Sequence, residues 1–91
     1  MTDQEVRNRI VEKMLRRRIV GGKNRTIDTV VNVALPSHEQ GAGKRAVEEM
    51  IAAGTPIERY GGQRDAIRLT SVADAVEYLE ENGGNVPFGF E

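Results

Sequence analysis

Residues 26–54 read TIDTVVNVALPSHEQGAGKRAVEEMIAAG, and the fold depends on how this stretch is interpreted. Residues 26–35 are rich in β-branched side chains, which favours a strand. Their apolar positions, however, recur at i, i+3, i+4, i+7 and i+8, which favours a helix. Thr26 is a good N-cap, and Asp28 lies near the positive end of the helix dipole. We therefore predict a helix here and keep a strand as the alternative.

A second helix is predicted over residues 37–53. Ser37 and Gln40 have the S-x-x-Q spacing of a capping box, and Gly54 suits the left-handed position that ends a helix. The buried face follows from the apolar spacing and consists of Ala46, Val47, Met50 and Ile51. A very short turn at residues 35–37 then joins two helices, which is typical of a helix-turn-helix.

Two more helices are predicted at the ends of the chain. Residues 2–18 begin with a T-x-x-E capping box and are followed by a short strand at residues 19–20. The last helix is capped by Ser71 and ends at residues 82–84. Both helices carry apolar residues at helical spacing: Val6, Ile10, Met14 and Leu15 in the first, and Val72, Ala75, Val76 and Leu79 in the last.

A β-hairpin is predicted between the middle helices and the last one. Residues 56–60 and 66–70 are strand-compatible runs on either side of a glycine-rich turn. Near the end of the chain, Phe88 and Phe90 are expected to pack the tail onto the body. The expected fold class is mainly α with a small β-hairpin.

Length and composition exclude several classes of protein. The 91 residues suffice for one domain, over residues 1–85, with a C-terminal tail over residues 86–91. Without cysteine and with a single histidine, neither a disulfide nor a metal site is expected. No apolar run approaches the ~20 residues of a membrane span, and the charged N-terminus does not resemble a signal peptide. A cytoplasmic protein with no membrane partner is expected.

Charge is distributed unevenly along the chain. The net charge is −1, but residues 1–25 carry +5, residues 26–70 carry −1 and residues 71–91 carry −5. Such asymmetry indicates two electrostatically different faces rather than a uniformly basic nucleic-acid binder.

The order helix, short strand, helix, helix, hairpin, helix resembles a winged helix-turn-helix domain of the MarR-like and ArsR-like regulators common in archaea. The most specific stretch is AVEEMIAAGTPIERYGGQRDAIRLT, residues 46–70. The resemblance extends over about residues 4–82 and departs from the family at Thr55-Pro56, where two apolar residues are usual. It implies the arrangement α-(β)-α-α-β-β-α and a DNA-binding, transcription-regulator-like protein.

By this resemblance, helix 37–53 enters the major groove of duplex DNA with its N-terminal end first, and the wing near residues 61–64 reaches the minor groove. Arg45 is the candidate for a base contact and Lys44 for a phosphate contact. The expected DNA-binding residues are His38, Gly41, Lys44 and Arg45 on the helix, Arg59 and Arg64 on the wing, and Arg16 and Arg17 at the end of the first helix.

Other interpretations of these residues stay open. The two helix cations could instead form i,i+4 pairs with Glu48 and Glu49, on a helix surface that only meets water. These glutamates and the net charge also suit a winged-helix module that binds a protein partner without DNA. A homodimer through the apolar stripes of the terminal helices is a further alternative, unless those stripes are used in the core.

The glycines raise a remote nucleotide-binding alternative. Lys44 is not followed by Ser or Thr, as a Walker A loop requires, but Gly41-x-Gly43-x-x-Ala46 does match a dinucleotide fingerprint. Residues 36–40 separate it from the preceding element, and the chain is too short for the sheet of that fold. We therefore expect no cofactor. In the preferred interpretation, Gly41 faces outward and Gly43 lets two helices pack closely.

Catalysis has no support in the sequence. The single histidine has no evident nucleophile or carboxylate partner, and the carboxylates are dispersed along helix faces. No enzymatic activity and no catalytic residue are expected.

Overall fold

Four α-helices surround a small sheet in the computed structural model, which describes residues 1–62 and 65–90 of the chain. The helices are α1 (Asp3–Arg16), α2 (Ile27–Ala34), α3 (Gln40–Ala53) and α4 (Val72–Glu81). The strands are β1 (Arg25–Thr26), β2 (Ile57–Arg59) and β3 (Ala66–Leu69), and they form an antiparallel sheet in the order β1-β3-β2. The predicted mainly α class with a hairpin is confirmed, and β1 extends the hairpin by one strand.

The ambiguous stretch after residue 25 is a helix, as predicted. The side chain of Thr26 caps α2 by accepting a hydrogen bond from the backbone N–H of Thr29, at 3.2 Å. The first residues of the chain also cap as expected, because Thr2 Oγ1 accepts from Glu5 N and Glu5 Oε1 accepts from Thr2 N. This second bond, from the backbone of Thr2, lowers the pKa of the Glu5 carboxyl.

The predicted capping box at the start of α3 is wrong. Residues 37–39 form a single turn of 3-10 helix, and no side chain caps α3, which begins at Gln40. The reason lies in Pro36, whose carbonyl accepts from Glu39 N at 3.0 Å and so tightens the turn before α3. The C-terminus behaves as predicted, because Gly54 has φ 88° in the left-handed region.

The short strand lies later in the chain than predicted. Val20 makes only an isolated parallel bridge with Leu69, whereas β1 at residues 25–26 pairs with Ala66 and Ile67. The carbonyl of Ile19 accepts a hydrogen bond from the backbone N–H of Leu69 at 2.7 Å. Residues 19–20 and residues 25–26 therefore both bind the same edge of β3, but only residues 25–26 form a strand.

The apolar faces of all four helices and of the hairpin form the core. Both predicted terminal stripes point inward, although Val72 and Val76 are only partly buried. Phe90 packs as expected, with the Arg18 guanidinium 4.5 Å from its ring centroid. Phe88 does not, since it is 96% exposed. Pro87, the residue before Phe88, is buried instead.

Gly43 is the point of closest approach between α2 and α3. A Cβ placed there would lie 2.5 Å from Leu35 Cδ1 and 3.0 Å from Val31 Cγ1, both in the buried core. A Cβ at Gly41, in contrast, would meet only the Arg45 side chain at 3.8 Å. The predicted inward and outward orientations of the two glycines are therefore confirmed.

These two glycines allow a matched test of helix packing. Gly43→Ala is expected to destabilise the protein by about 1 kcal/mol, because overpacking costs ~1–3 kcal/mol and the better helix propensity of Ala returns up to about 1 kcal/mol. Gly41→Ala has the same gain in helix propensity without overpacking, so the free energy of unfolding should stay unchanged or rise. Urea unfolding of both variants measures the difference, and equal stabilities would contradict the close α2–α3 contact.

Two serines allow a similar test of the caps. Ser71 Oγ accepts from Asp74 N at 2.9 Å at the start of α4, so Ser71→Ala is expected to lower the free energy of unfolding by ~1 kcal/mol. Ser37→Ala is the control, because no side chain caps α3, and should change it by less than about 0.5 kcal/mol. Comparable losses in both variants would show that Ser37 does cap α3.

Candidate nucleic-acid interface

The outward face of α3 carries the residues predicted to approach DNA. With Gly43, Ala46, Val47 and Met50 buried, a rotation of 100° per residue directs Gly41, Arg45 and Glu48 away from the core. All three are exposed, as is Lys44 on the flank toward α2. The core face is as predicted, including the inward Gly43, except that Ile51 is only half-buried.

Arg45 is the cation that this face leaves available. It makes no ion pair or hydrogen bond with any other residue that the structure describes, although it lies beside Asp3, Arg7 and Glu49. The i,i+4 pair with Glu49 is not formed, because Arg7 of α1 hydrogen-bonds to that carboxylate instead. This bond raises the pKa of the Arg7 guanidinium. The Arg45 guanidinium extends over Gly41, in the first turn of the helix.

Lys44 and Arg59 lie near the same face but are engaged with carboxylates. Lys44 Nζ is 3.0 Å from Asp28 Oδ1 at the start of α2, so the alternative i,i+4 pair with Glu48 is also absent. Glu48 instead accepts two hydrogen bonds from Arg59 of β2, at 2.7 and 3.2 Å. Each of these pairs joins two different elements and lies on the exposed surface.

A cleft of about 320 Å³ separates α3 from the start of α2 and from Asp65, at the turn end of the hairpin. It is lined by three carboxylates, those of Asp28, Glu48 and Asp65, and by one ammonium group, that of Lys44. Anionic groups therefore outnumber cations within this cleft, which opposes a close approach of phosphate there.

The other predicted residues are spread over several surfaces. The His38 side chain is 79% exposed in the 3-10 turn, 3.8 Å from the Glu39 carboxylate. Arg16 pairs with Glu12 at 3.0 Å, and Arg17 is exposed at the end of α1. Arg64, assigned to the wing tip, lies outside the described residues.

Arg16 lines a groove on the outer side of α1 that is separate from the α3 face. This groove has a volume of about 640 Å³ and runs between α1, the end of α2 and residues 83–85. Its other cations are Arg9 and Lys13, which are not among the predicted DNA-binding residues. The sequence feature that could have identified them is their i,i+4 spacing on the polar side of α1.

No other kind of site is evident in the described part of the chain. Residues 1–62 and 65–90 hold no group of three or more His, Asp or Glu side chains arranged to bind a metal ion. In the same ranges, every helix is too short or too polar to cross a membrane.

Comparison with known proteins identifies no relative of this chain. No family model, no curated protein and no solved structure matches the chain.

Proposed function

We propose that this chain is a winged helix-turn-helix domain that binds duplex DNA as a small transcription-regulator-like protein. In this proposal α2 and α3 form the helix-turn-helix and the β2–β3 hairpin is the wing. The arrangement is supported by the one-turn connection at residues 37–39 and by the sheet order β1-β3-β2. The observation that carries DNA binding is the exposed Arg45, without an ionic partner in the described chain, above Gly41.

Arg45 has the chemistry and the position for a base contact. A guanidinium group donates hydrogen bonds in a planar fork that matches the O6 and N7 acceptors of guanine in the major groove. Gly41 has no side chain beneath this group, so the DNA backbone can approach the first turns of α3 closely. His38 lies just before these turns and is exposed to the same approaching strand.

Lys44 and Arg59 contact DNA phosphates after leaving the carboxylates with which they pair in the free protein. Exposed ion pairs such as those with Asp28 and Glu48 are worth only ~0–1 kcal/mol, so a DNA phosphate competes with them. The carboxylates stay beside the DNA after the exchange and reduce the net attraction. We therefore expect weaker non-specific binding than for a strongly basic domain, and specificity that depends heavily on Arg45.

A protein-binding module is the second candidate function. It is favoured by the cleft lined by Asp28, Glu48 and Asp65, which would attract a basic segment of a partner protein. In that case the same face of the molecule serves a different ligand, and the sheet and the helix pair have only a structural role.

Arg45→Ala separates these functions when binding to a mixed-sequence duplex is followed by fluorescence anisotropy. The wild type should bind at about 50 mM salt and lose affinity steeply by about 200 mM, because bound phosphates release counterions. Arg45→Ala should weaken binding about 5- to 150-fold, the ~1–3 kcal/mol of a bidentate base contact.

Arg9→Ala is the matched control, since it removes the same charge from the α1 groove. It should leave DNA affinity nearly unchanged. Equal losses in both variants would indicate a general charge effect, and no binding by the wild type at low salt would reject the DNA-binding function.

Asp28→Asn tests the partner exchange of Lys44. Releasing the ammonium from its 3.0 Å pair should tighten DNA binding several-fold and steepen the dependence of log affinity on log salt by about 0.9, the effect of one additional phosphate contact. Glu58→Gln removes the same charge from a carboxylate that pairs with Arg68 at 2.7 Å and is the control. If it tightens binding equally, net charge rather than Lys44 is responsible.

A further inference from the structure

The α1 groove carries two cations that the proposed DNA interface does not use. Arg9 and Lys13 both line it, and neither has an ion pair or a hydrogen bond within the described ranges of the chain. The third cation, Arg16, pairs with Glu12 at 3.0 Å. The remaining carboxylate, Glu5, belongs to the capping box of α1 and senses the charge of Arg9 without forming an ion pair with it. Two positive charges of the groove are thus paired with no carboxylate of the described chain.

The fold itself builds the wall of the groove at residues 83–85. A Cβ placed on Gly84 would lie 2.7 Å from Leu79 Cδ2 and 3.1 Å from Asn8 Cγ, so this wall lies directly against α1 and α4. The Gly84 N–H donates to the Leu79 carbonyl at 2.8 Å, and Asn8 Nδ2 donates to the Asn82 carbonyl at 3.0 Å. Backbone and side-chain bonds therefore hold the two sides of the groove together.

Neutral groups line the groove beside the cations. Val33 is 38% exposed at the end of α2 and adjoins Ala34 in the lining. Asn85 is exposed and makes no hydrogen bond with any other residue that the structure describes. Carboxylates, apolar side chains and backbone amides occur together in a peptide, and this surface offers a contact to each of them.

The carboxylates of the groove favour a peptide over a nucleic acid. Glu5 and Glu12 lie in the same lining as the cations. A nucleic-acid strand carries a phosphate on every nucleotide, so some phosphates would face these two carboxylates and be repelled. A peptide, in contrast, carries negative charge only where acidic residues occur, and can place neutral residues beside Glu5 and Glu12.

We propose that the α1 groove binds an extended acidic segment of a partner protein, in which two carboxylates two residues apart contact Arg9 and Lys13. Four residues advance a helix by about 6 Å. Two residues advance an extended chain by about 7 Å and place both side chains on the same side. The spacing of the cations thus matches an acidic-x-acidic sequence. This function is additional to DNA binding and does not depend on it.

Binding is expected to be weak and sensitive to salt. Both cations are accessible to water, and each ion pair at such a surface contributes little to affinity. Charges are screened over about 10 Å at 0.1 M and about 3 Å at 1 M ionic strength. The apolar contact with Val33 is not screened and keeps part of the affinity at high salt.

Fluorescence anisotropy of a labelled octapeptide, ALETETVA, titrated with the full chain tests the proposal. Saturable binding is expected at low salt, and the dissociation constant should rise about tenfold or more at 1 M salt. No saturation at about millimolar protein and low salt would overturn the proposal, because two ion pairs and an apolar contact should be detectable there.

A peptide of the same composition, ALEETTVA, tests the spacing. Its two glutamates are adjacent, so they point to opposite sides of an extended chain. It should bind at least about fivefold more weakly than ALETETVA, since only one carboxylate then reaches a cation at a time. Equal affinities for the two peptides would mean unspecific charge attraction, and the proposal would fail.

Charge reversal identifies the surface. Arg9→Glu with Lys13→Glu should abolish binding of ALETETVA and create binding of a basic peptide, ALKTKTVA. Circular dichroism and urea unfolding check that this groove variant stays folded. The milder pair Arg9→Gln with Lys13→Gln should also weaken binding of ALETETVA about tenfold or more, because both ion pairs are lost. Unchanged affinity in a folded variant would refute the assignment.

Lys23→Glu with Arg25→Glu is the matched control, since it changes the net charge equally at two cations outside the groove and should keep the affinity for ALETETVA. Equal losses in the control and the groove variant would show a general charge effect and reject the proposal. It is rejected too if the groove variant binds ALETETVA normally but loses duplex DNA affinity or a self-association of the wild type, because nucleic acid or a second copy would then be the occupant.

Discussion

The contact between α2 and α3 at Gly43 is the constraint on which the rest of the surface depends. Because no side chain intervenes there, α3 lies directly on Val31 and Leu35, and its rotation about its own axis is determined. That rotation directs Arg45 outward over Gly41 and brings Lys44 to the Asp28 carboxylate. A side chain at position 43 requires a shift of the Leu35 and Val31 side chains or of the helix that carries the candidate interface.

Ion pairs between elements determine how much positive charge this interface offers. Sequence spacing allows the α3 cations to pair with Glu48 and Glu49 on their own helix, but both glutamates bind arginines of other elements. Lys44 in turn binds Asp28 of α2. Each pair therefore ties α3 to a different neighbour, and Arg45 is left without an ionic partner among the described residues. The result is a surface of nearly balanced charge with one available guanidinium group.

The two ends of the sequence carry opposite charges. The basic first third and the acidic last third fold into adjacent helices, α1 and α4, whose outer sides remain oppositely charged. A chain with little net charge thus presents a basic groove on α1 and three exposed carboxylates on α4, those of Glu77, Glu80 and Glu81.

Local patterns in the sequence were sufficient for the helices, the hairpin and most of their caps. Helical periodicity outweighed β-branching at residues 26–35 because Thr26 caps the helix, and the glycine at position 54 ended α3 as a left-handed residue. Tertiary structure decided the features that need partners far along the chain. The first strand formed at residues 25–26 because β3 pairs there, and Phe88 stayed exposed because Pro87 occupies the core side of the tail. Likewise, which carboxylate neutralises which cation follows from how the helices pack, and spacing along one helix carries no information about that.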